Sequence, residues 1–366
     1  MSGPAQKPDA VRPASRMQHV NAYCPPRGVR EQRLDALRLD ANEGQPQDEL
    51  FAQAIKQMSR EMVRRYPSTA ALESQLAAEF GIDTSRVIVT AGADDALDRI
   101  CRAVLEPGQT AIVMDPTFEM IPRYIQLAGA EVIRIPWLDR AFLAEELMTC
   151  SSGATAIFVD SPNNPTGAIA DAEALVAIAQ QFPSTLLVAD LAYVDFADTD
   201  PTSLLLSLPN VVVTRTFSKA CGLAGLRVGY ALGPAEIIGW LRATGHPYPV
   251  SSISLAIAGA AMNADHTITA AYLQRVRTER QQLDGWLRER DILTSRSQGN
   301  FVFAKFPNAW AIADSLAASG ILVRRFERNT ALGDRLRITC PGCAEEFDRL
   351  IAGLEQAIAT TQGDNQ

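Results

Sequence analysis

The chain is poor in the residues that staple or plate a fold. Six cysteines are spread over 366 residues, too thinly for a disulfide scaffold, and reduced thiols are the default. Histidine is scarcer, with three residues, His19, His246 and His266. Cys340-Pro-Gly-Cys343 therefore lacks the second pair or well-placed histidines that a zinc site wants, and a loop with two thiols is the simpler reading. No apolar run approaches the ~18–20 residues of a membrane span. The N-terminal stretch MSGPAQKPDAVRPASRMQ has no apolar core of a secretory signal. Positive charge is also in deficit, since 34 Lys+Arg stand against 42 Asp+Glu for a net charge of −8. That balance argues against a general binder of nucleic-acid backbone and leaves room for a local basic pocket. The expectation is a soluble, cytoplasmic protein with no metal, nucleic-acid or membrane partner.

What is present is ordinary for a globular protein. The chain is 47% hydrophobic and 21% charged, which excludes wholesale disorder. At roughly 100–200 residues per domain, the length indicates two domains or one with a satellite. Residues 1–16, with Pro4, Pro8 and Pro13, read as a flexible tail, as do residues 359–366. Between them strands and helices alternate. Short apolar runs start at Arg86, Ala111, Glu131, Ala156, Leu186, Val211 and Arg227, with helical patterns between several of them. Such strands mark an α/β fold whose mainly parallel sheet is covered on both faces. Beyond Ser252 come longer charged helices over 272–289 and 309–319, and strand-like runs at Asn300 and Leu336. The expected organisation is an N-terminal segment (17–44) packing with a smaller α+β domain (256–358), and a large α/β domain (45–255).

In a parallel sheet, ligands bind beyond the carboxyl ends of the strands, and four motifs collect there. Gly92-Ala93-Asp94 opens a helix whose free N–H groups and dipole favour an anion, although an Asp N-cap explains it equally well. Ser161-Pro-Asn-Asn-Pro-Thr-Gly167 is a rigid turn that aims an amide, Asn164, or is only a turn. Asp190 ends a very apolar strand, so its carboxylate needs a cationic or hydrogen-bonding partner; a helix cap is the bland alternative. Lys219 follows the strand Val211–Thr216, where desolvation makes an amine nucleophilic. Thr216 and Ser218 precede it, and Arg227 comes eight residues later.

Together these motifs resemble the fold-type I pyridoxal-phosphate enzymes, specifically the class I/II aminotransferases. The resemblance implies pyridoxal 5'-phosphate as cofactor, with Lys219 as Schiff-base lysine and acid/base and Asp190 at the pyridine nitrogen. It implies Asn164 and Tyr193 on the ring hydroxyl and Phe118 stacked on the ring. Gly92, Ala93, Asp94, Thr216, Ser218 and Arg227 would hold the phosphate. Tyr66, in Arg65-Tyr66-Pro67, would reach the partner's phosphate in a homodimer with shared active sites.

Within that class the chain looks most like the histidinol-phosphate aminotransferase family, from about Tyr23 to the C-terminal helix. The matching segments are Ala22-Tyr23-Cys-Pro-Pro, Leu39-Asp-Ala-Asn42-Glu43, His246-Pro-Tyr248-Pro-Val-Ser, Gly299-Asn300-Phe301, Val323-Arg324 and Leu336-Arg337-Ile-Thr. They imply Tyr23, Asn42, Tyr248, Asn300, Arg324 and Arg337 at the substrate, with Arg337 on a carboxylate and Arg324 on a substrate phosphate. The implied reaction is ping-pong transamination between an amino donor and a 2-oxo acid, histidinol phosphate with 2-oxoglutarate, in histidine biosynthesis. Four departures stand out. Leu191 replaces a usual glutamate and Phe118 a frequent tyrosine. Arg325 stands for a common aspartate, and Thr339-Cys-Pro-Gly342 for a more typical TVGT. The last two lie near the substrate pocket and keep aromatic or other amino acids open as substrates. A phosphothreonine-type decarboxylase shares most of the motifs, but it would release CO₂ and need no acceptor. A non-enzymatic binding module would usually lack Lys219 or carry an appended domain.

Overall fold

Apolar residues on both sides of a short strand demand cover on both sides, and the chain supplies it. The computed structural model describes residues 14–20, 36–45, 52, 55–56, 58–142, 144–264 and 266–363. In chain order the strands are β1 (Leu37–Leu39), β2 (Val87–Thr90), β3 (Thr110–Asp115), β4 (Glu131–Pro136), β5 (Ala156–Asp160) and β6 (Leu186–Asp190). They continue with β7 (Val211–Thr216), β8 (Gly229–Leu232), β9 (Leu293–Thr294), β10 (Phe301–Lys305), β11 (Ile321–Arg325) and β12 (Arg335–Thr339).

One sheet has the order β2-β8-β7-β6-β5-β3-β4. The pairs from β7 through β4 are parallel, and β8 runs antiparallel to both β2 and β7. Side chains alternate between its faces as the pleat requires. Val211 and Val213 join one apolar layer and Val212 the other. The helices Ala70–Phe80, Ala172–Gln181 and Ser252–Met262 close the first layer through Leu76, Ile178 and Ile257. Ala93–Val104, Met120–Ala128 and Ala235–Thr244 close the second through Leu97, Ile125 and Leu241.

The second sheet, β1-β11-β12-β10-β9, carries its own core with Val276, Leu283, Ile312, Leu316, Leu350 and Leu354 from three helices. The N-terminal strand β1 enters it parallel to β11. Residues 40–45 then run on as a strap across to the first sheet. Gly44 lets that strap lie directly on the chain, since a Cβ there would overlap the carbonyl oxygen of Lys219.

Three local expectations shift. The helix expected over 272–289 spans His266–Arg288. The C-terminal helix spans Ala344–Gly363, so the tail expected over 359–366 starts inside helical chain. Thr360 and Thr361 sit within it with their hydroxyls donating to the carbonyls of Gln356 and Ala357, so the polar groups are satisfied inside the helix. At the other end, Ser15–His19 forms a 3-10 turn where the tail over 1–16 was expected. Among the described residues, no helix is long and apolar enough to cross a membrane. Cys340 and Cys343 are free thiols.

Candidate active site

The carboxyl ends of β3, β5, β6 and β7 open onto a cavity of about 820 Å³. Its wall brings together Ala93, Asp94, Phe118, Asn164, Asp190, Tyr193, Thr216, Ser218, Lys219, Arg227, Arg324 and Arg337. Asp190 ends β6 and is buried. Its Oδ1 accepts a hydrogen bond from Thr214 Oγ1 at 2.9 Å. Burial, with Asp160 close by, pushes its carboxyl up to about 7. Lys219 Nζ donates to the Ala41 carbonyl at 2.9 Å and lies 5.5 Å from the Tyr193 ring centroid. The Tyr193 hydroxyl accepts from Asn42 Nδ2 at 3.0 Å.

At one end of the cavity, hydroxyls and a helix start form an anion-sized niche. Thr216 Oγ1 and Ser218 Oγ are 2.9 Å apart, and Arg227 Nη2 pairs with Asp94 Oδ2 at 2.9 Å. Gly92 caps the helix Ala93–Val104 with φ 84°, and a Cβ there would come within 2.6 Å of Arg227 Nη2. Glycine is thus required both by the left-handed backbone and by the guanidinium.

At the other end, Arg324 and Arg337 are direct partners across the antiparallel β11–β12 pair. Arg337 is buried; its Nη2 donates to the Asp40 carbonyl at 2.8 Å, and its Nη1 donates to Asn164 Oδ1. Burial lowers the pKa of this guanidinium. Arg324 Nη2 lies 2.9 Å from Glu119 Oε1.

Five expected site residues are not on this wall, one of them Gly92, which caps the helix behind Ala93. Tyr66 and Tyr248 are 80% and 51% exposed and stack on each other at 4.4 Å, away from the cavity. Asn42 and Asn300 are buried behind it rather than facing substrate. There Asn300 Nδ2 donates to the Asn42 carbonyl at 3.3 Å, and Asn42 Oδ1 accepts from Thr339 Oγ1 at 2.8 Å. Both asparagines correct the sequence reading: the Asn42 amide is spent on the Tyr193 and Thr339 hydroxyls, and Asn300 is turned to the strap through its Nδ2, its buried Oδ1 having no hydrogen-bond partner among the described residues. Tyr23 lies outside the described residues.

Sequence reasoning missed Asp160 and Glu119. Asp160 lines the cavity, pairs in register with Asp190 and is buried. It accepts from Thr117 Oγ1 (2.9 Å), Phe118 N (3.2 Å), Asn163 Nδ2 (2.9 Å) and Asn164 N (2.8 Å). Burial pushes its carboxyl up to about 6. The signal was available: Ala156-Ile-Phe-Val-Asp160 ends in aspartate just as Leu186-Leu-Val-Ala-Asp190 does.

A lysine, a buried carboxylate and an anion niche stand in one cavity. The family model for aminotransferase class I and II matches residues 36–354. The chain belongs to that family. The aminotransferase is 31% identical to histidinol-phosphate aminotransferase 1 of Thiobacillus denitrificans, over 97% of this chain and 96% of the relative. It is 36% identical to the histidinol-phosphate aminotransferase of Roseobacter denitrificans, over 80% and 83%. A solved histidinol-phosphate aminotransferase from Sinorhizobium meliloti, in complex with pyridoxal-5'-phosphate, superposes with a TM-score of 0.87. It shares 27% identity and covers 96% of this chain and 99% of its own.

The aminotransferase is a fold-type I enzyme whose cofactor is pyridoxal 5'-phosphate. Its residues fit that group. A buried carboxylate beside a second one calls for a cation, which a protonated ring nitrogen at Asp190 would provide. Phe118 would offer a ring face, the Ser218–Arg227 niche a phosphate seat and Lys219 the amine.

Proposed function

We propose that this aminotransferase exchanges the amino group of histidinol phosphate for the keto group of 2-oxoglutarate. The observation that carries this reading is the Arg324–Arg337 pair facing one cavity. A guanidinium binds carboxylate or phosphate through a planar fork, and two of them suit a dicarboxylate held at both ends. Histidinol phosphate has no carboxylate, so its phosphate takes the place at Arg337 instead of the Arg324 that the resemblance implied, and its imidazole lies toward Arg324. The names of the relatives support the same substrate.

When bound, pyridoxal phosphate supplies an electron sink for the α-carbon. The chain's own residues do the rest. Asp190 holds the proton at the ring nitrogen, Lys219 Nζ carries the cofactor and moves the proton at the α-carbon, and Asn164 and Tyr193 orient the ring. Ala93, Asp94, Thr216, Ser218 and Arg227 hold the phosphate. The exposed Tyr66 supports a homodimer in which it completes the partner's phosphate site.

Trp310, Phe326 and Leu332 also line the cavity, and this apolar wall favours a second reading, an aromatic amino-acid donor. Steady-state kinetics with 2-oxoglutarate and histidinol phosphate, phenylalanine or tyrosine separates them. The first reading expects the highest kcat/KM for histidinol phosphate. A higher value for phenylalanine or tyrosine would replace it with the second.

A further inference from the structure

Glu119 follows Phe118 directly and lines the same cavity. Its Oε1 lies 2.9 Å from Arg324 Nη2, which ties the start of the helix Met120–Ala128 to β11. The two partners are unequally held. The Arg324 side chain is 17% exposed and that of Glu119 is 40% exposed, so the acid has the room to leave. Arg337, opposite Arg324 in register, meets only neutral oxygens in its hydrogen bonds to Asp40 and Asn164. Of this pair, one guanidinium thus makes its hydrogen bonds to neutral oxygens and the other to a carboxylate.

These two states suit two kinds of substrate. A substrate with a single anionic group needs Arg337 alone, and its uncharged side chain then meets a neutral ion pair. A substrate with a second anionic group needs Arg324 as well and has to take the place of Glu119. The exchange swaps one charge-assisted hydrogen bond for another, so Glu119 competes with the incoming anion without forbidding it. A ping-pong enzyme that takes an imidazole in one half-reaction and a dicarboxylate in the other needs both states in one pocket.

We propose that Glu119 is a specificity-determining counter-ion. Paired with Arg324 it keeps the far end of the cavity neutral for uncharged side chains, and displaced from Arg324 it admits a second carboxylate. The inference rests on the aminotransferase cavity described above, with Arg337 as the anchor for the first anion.

The test uses cofactor-loaded wild type, Glu119→Gln, Glu119→Ala, Arg324→Gln and the Glu119→Gln/Arg324→Gln double variant. Glutarate and valerate, matched in length with two carboxylates and one, are titrated against the cofactor's absorbance band, which reads binding without turnover. Removing the competing carboxylate is expected to tighten glutarate by roughly three- to fivefold, the scale of a part-exposed ion pair. Valerate, which has no second carboxylate to place at Arg324, should stay within about twofold. The kcat/KM ratio of 2-oxoglutarate to 2-oxopentanoate should rise by the same factor, and the gain should vanish when Arg324 is glutamine. Equal shifts for both acids, or a gain that survives Arg324→Gln, overturn the role of Glu119. Failure of both acids to perturb wild type overturns the reading of the cavity itself, which separates the two failures.

Discussion

Asp160 and Asp190 stand side by side at the ends of β5 and β6, and they divide the work at the cavity floor. Asp160 spends its oxygens on four donors from the Thr117–Phe118 and Asn163–Asn164 turns. Asp190 accepts from Thr214 and lines the cavity, which is why the ring nitrogen is assigned to it in the proposed function. Asp190→Asn is therefore expected to lower kcat by several powers of ten, on the order of 5 kcal/mol or more in the barrier, because a neutral amide cannot hold that proton. Near-normal kcat would show that another group protonates the ring. Lys219 is tested as cleanly, since the chain has only Lys7, Lys56, Lys219 and Lys305 as lysines. Borohydride reduction and peptide mapping should place the label on Lys219, and label on any other lysine would overturn the assignment. At this scale the sequence was legible wherever a polar residue ends an apolar strand, which is how Asp190 and Lys219 stood out. Asp160 carries the same signal and was passed over because no motif drew attention to it. Asn42 and Asn300 were legible as special but not in direction, since facing a ligand or a strap depends on contacts hundreds of residues apart.

Strands with continuous apolar runs, such as Ala156–Asp160 and Val211–Thr216, were readable because burial on both faces leaves no ambiguity of period. The two-residue β9 was not, because Leu293 and Thr294 offer no period at all. Register was also out of reach. The spacing of Arg324 and Arg337 suggests one pocket, but only the antiparallel pairing of β11 with β12 sets them opposite each other. A further feature belongs to loops: the Tyr66–Tyr248 stack joins the turn before the helix Ala70–Phe80 to the turn before Ser252–Met262, and both rings are exposed. Large aromatics on a surface mark a contact site. If Tyr66 completes the partner's phosphate site, mixing inactive Tyr66→Ala and Lys219→Ala proteins should restore activity that neither has alone. A fully active monomer in sedimentation would dismiss the shared site.

Across the whole molecule, the buried acids set a common response to pH. Glu279, on the helix His266–Arg288, accepts from the Gly342 N–H at 2.7 Å, and burial pushes its carboxyl up to about 7. With Asp160 at about 6 and Asp190 at about 7, three folded-state values lie above their ordinary ones. The folded form then binds more protons than the unfolded one between pH ~4 and ~7, so these groups favour folding at low pH. Their contribution is lost as pH rises through 6 to 7. With the ring nitrogen at Asp190, as proposed, cofactor binding would reverse the share of Asp190, because a neighbouring cation stabilises its ionised form. The Tm difference between loaded and cofactor-free protein should widen from pH 5 to pH 8; a constant difference would remove Asp190 from the account. The strap over residues 40–45 has a different consequence, one of timing during synthesis. It leaves the ribosome early, yet Ala41 waits 178 residues for Lys219 and Asp40 waits 297 for Arg337. Among the described residues, β1 pairs only with β11, whereas the last described strand of the cofactor-side sheet ends at Leu232. Pairings this distant in sequence come late. A nascent chain can therefore build the cofactor side of its cavity while the substrate side is still untranslated.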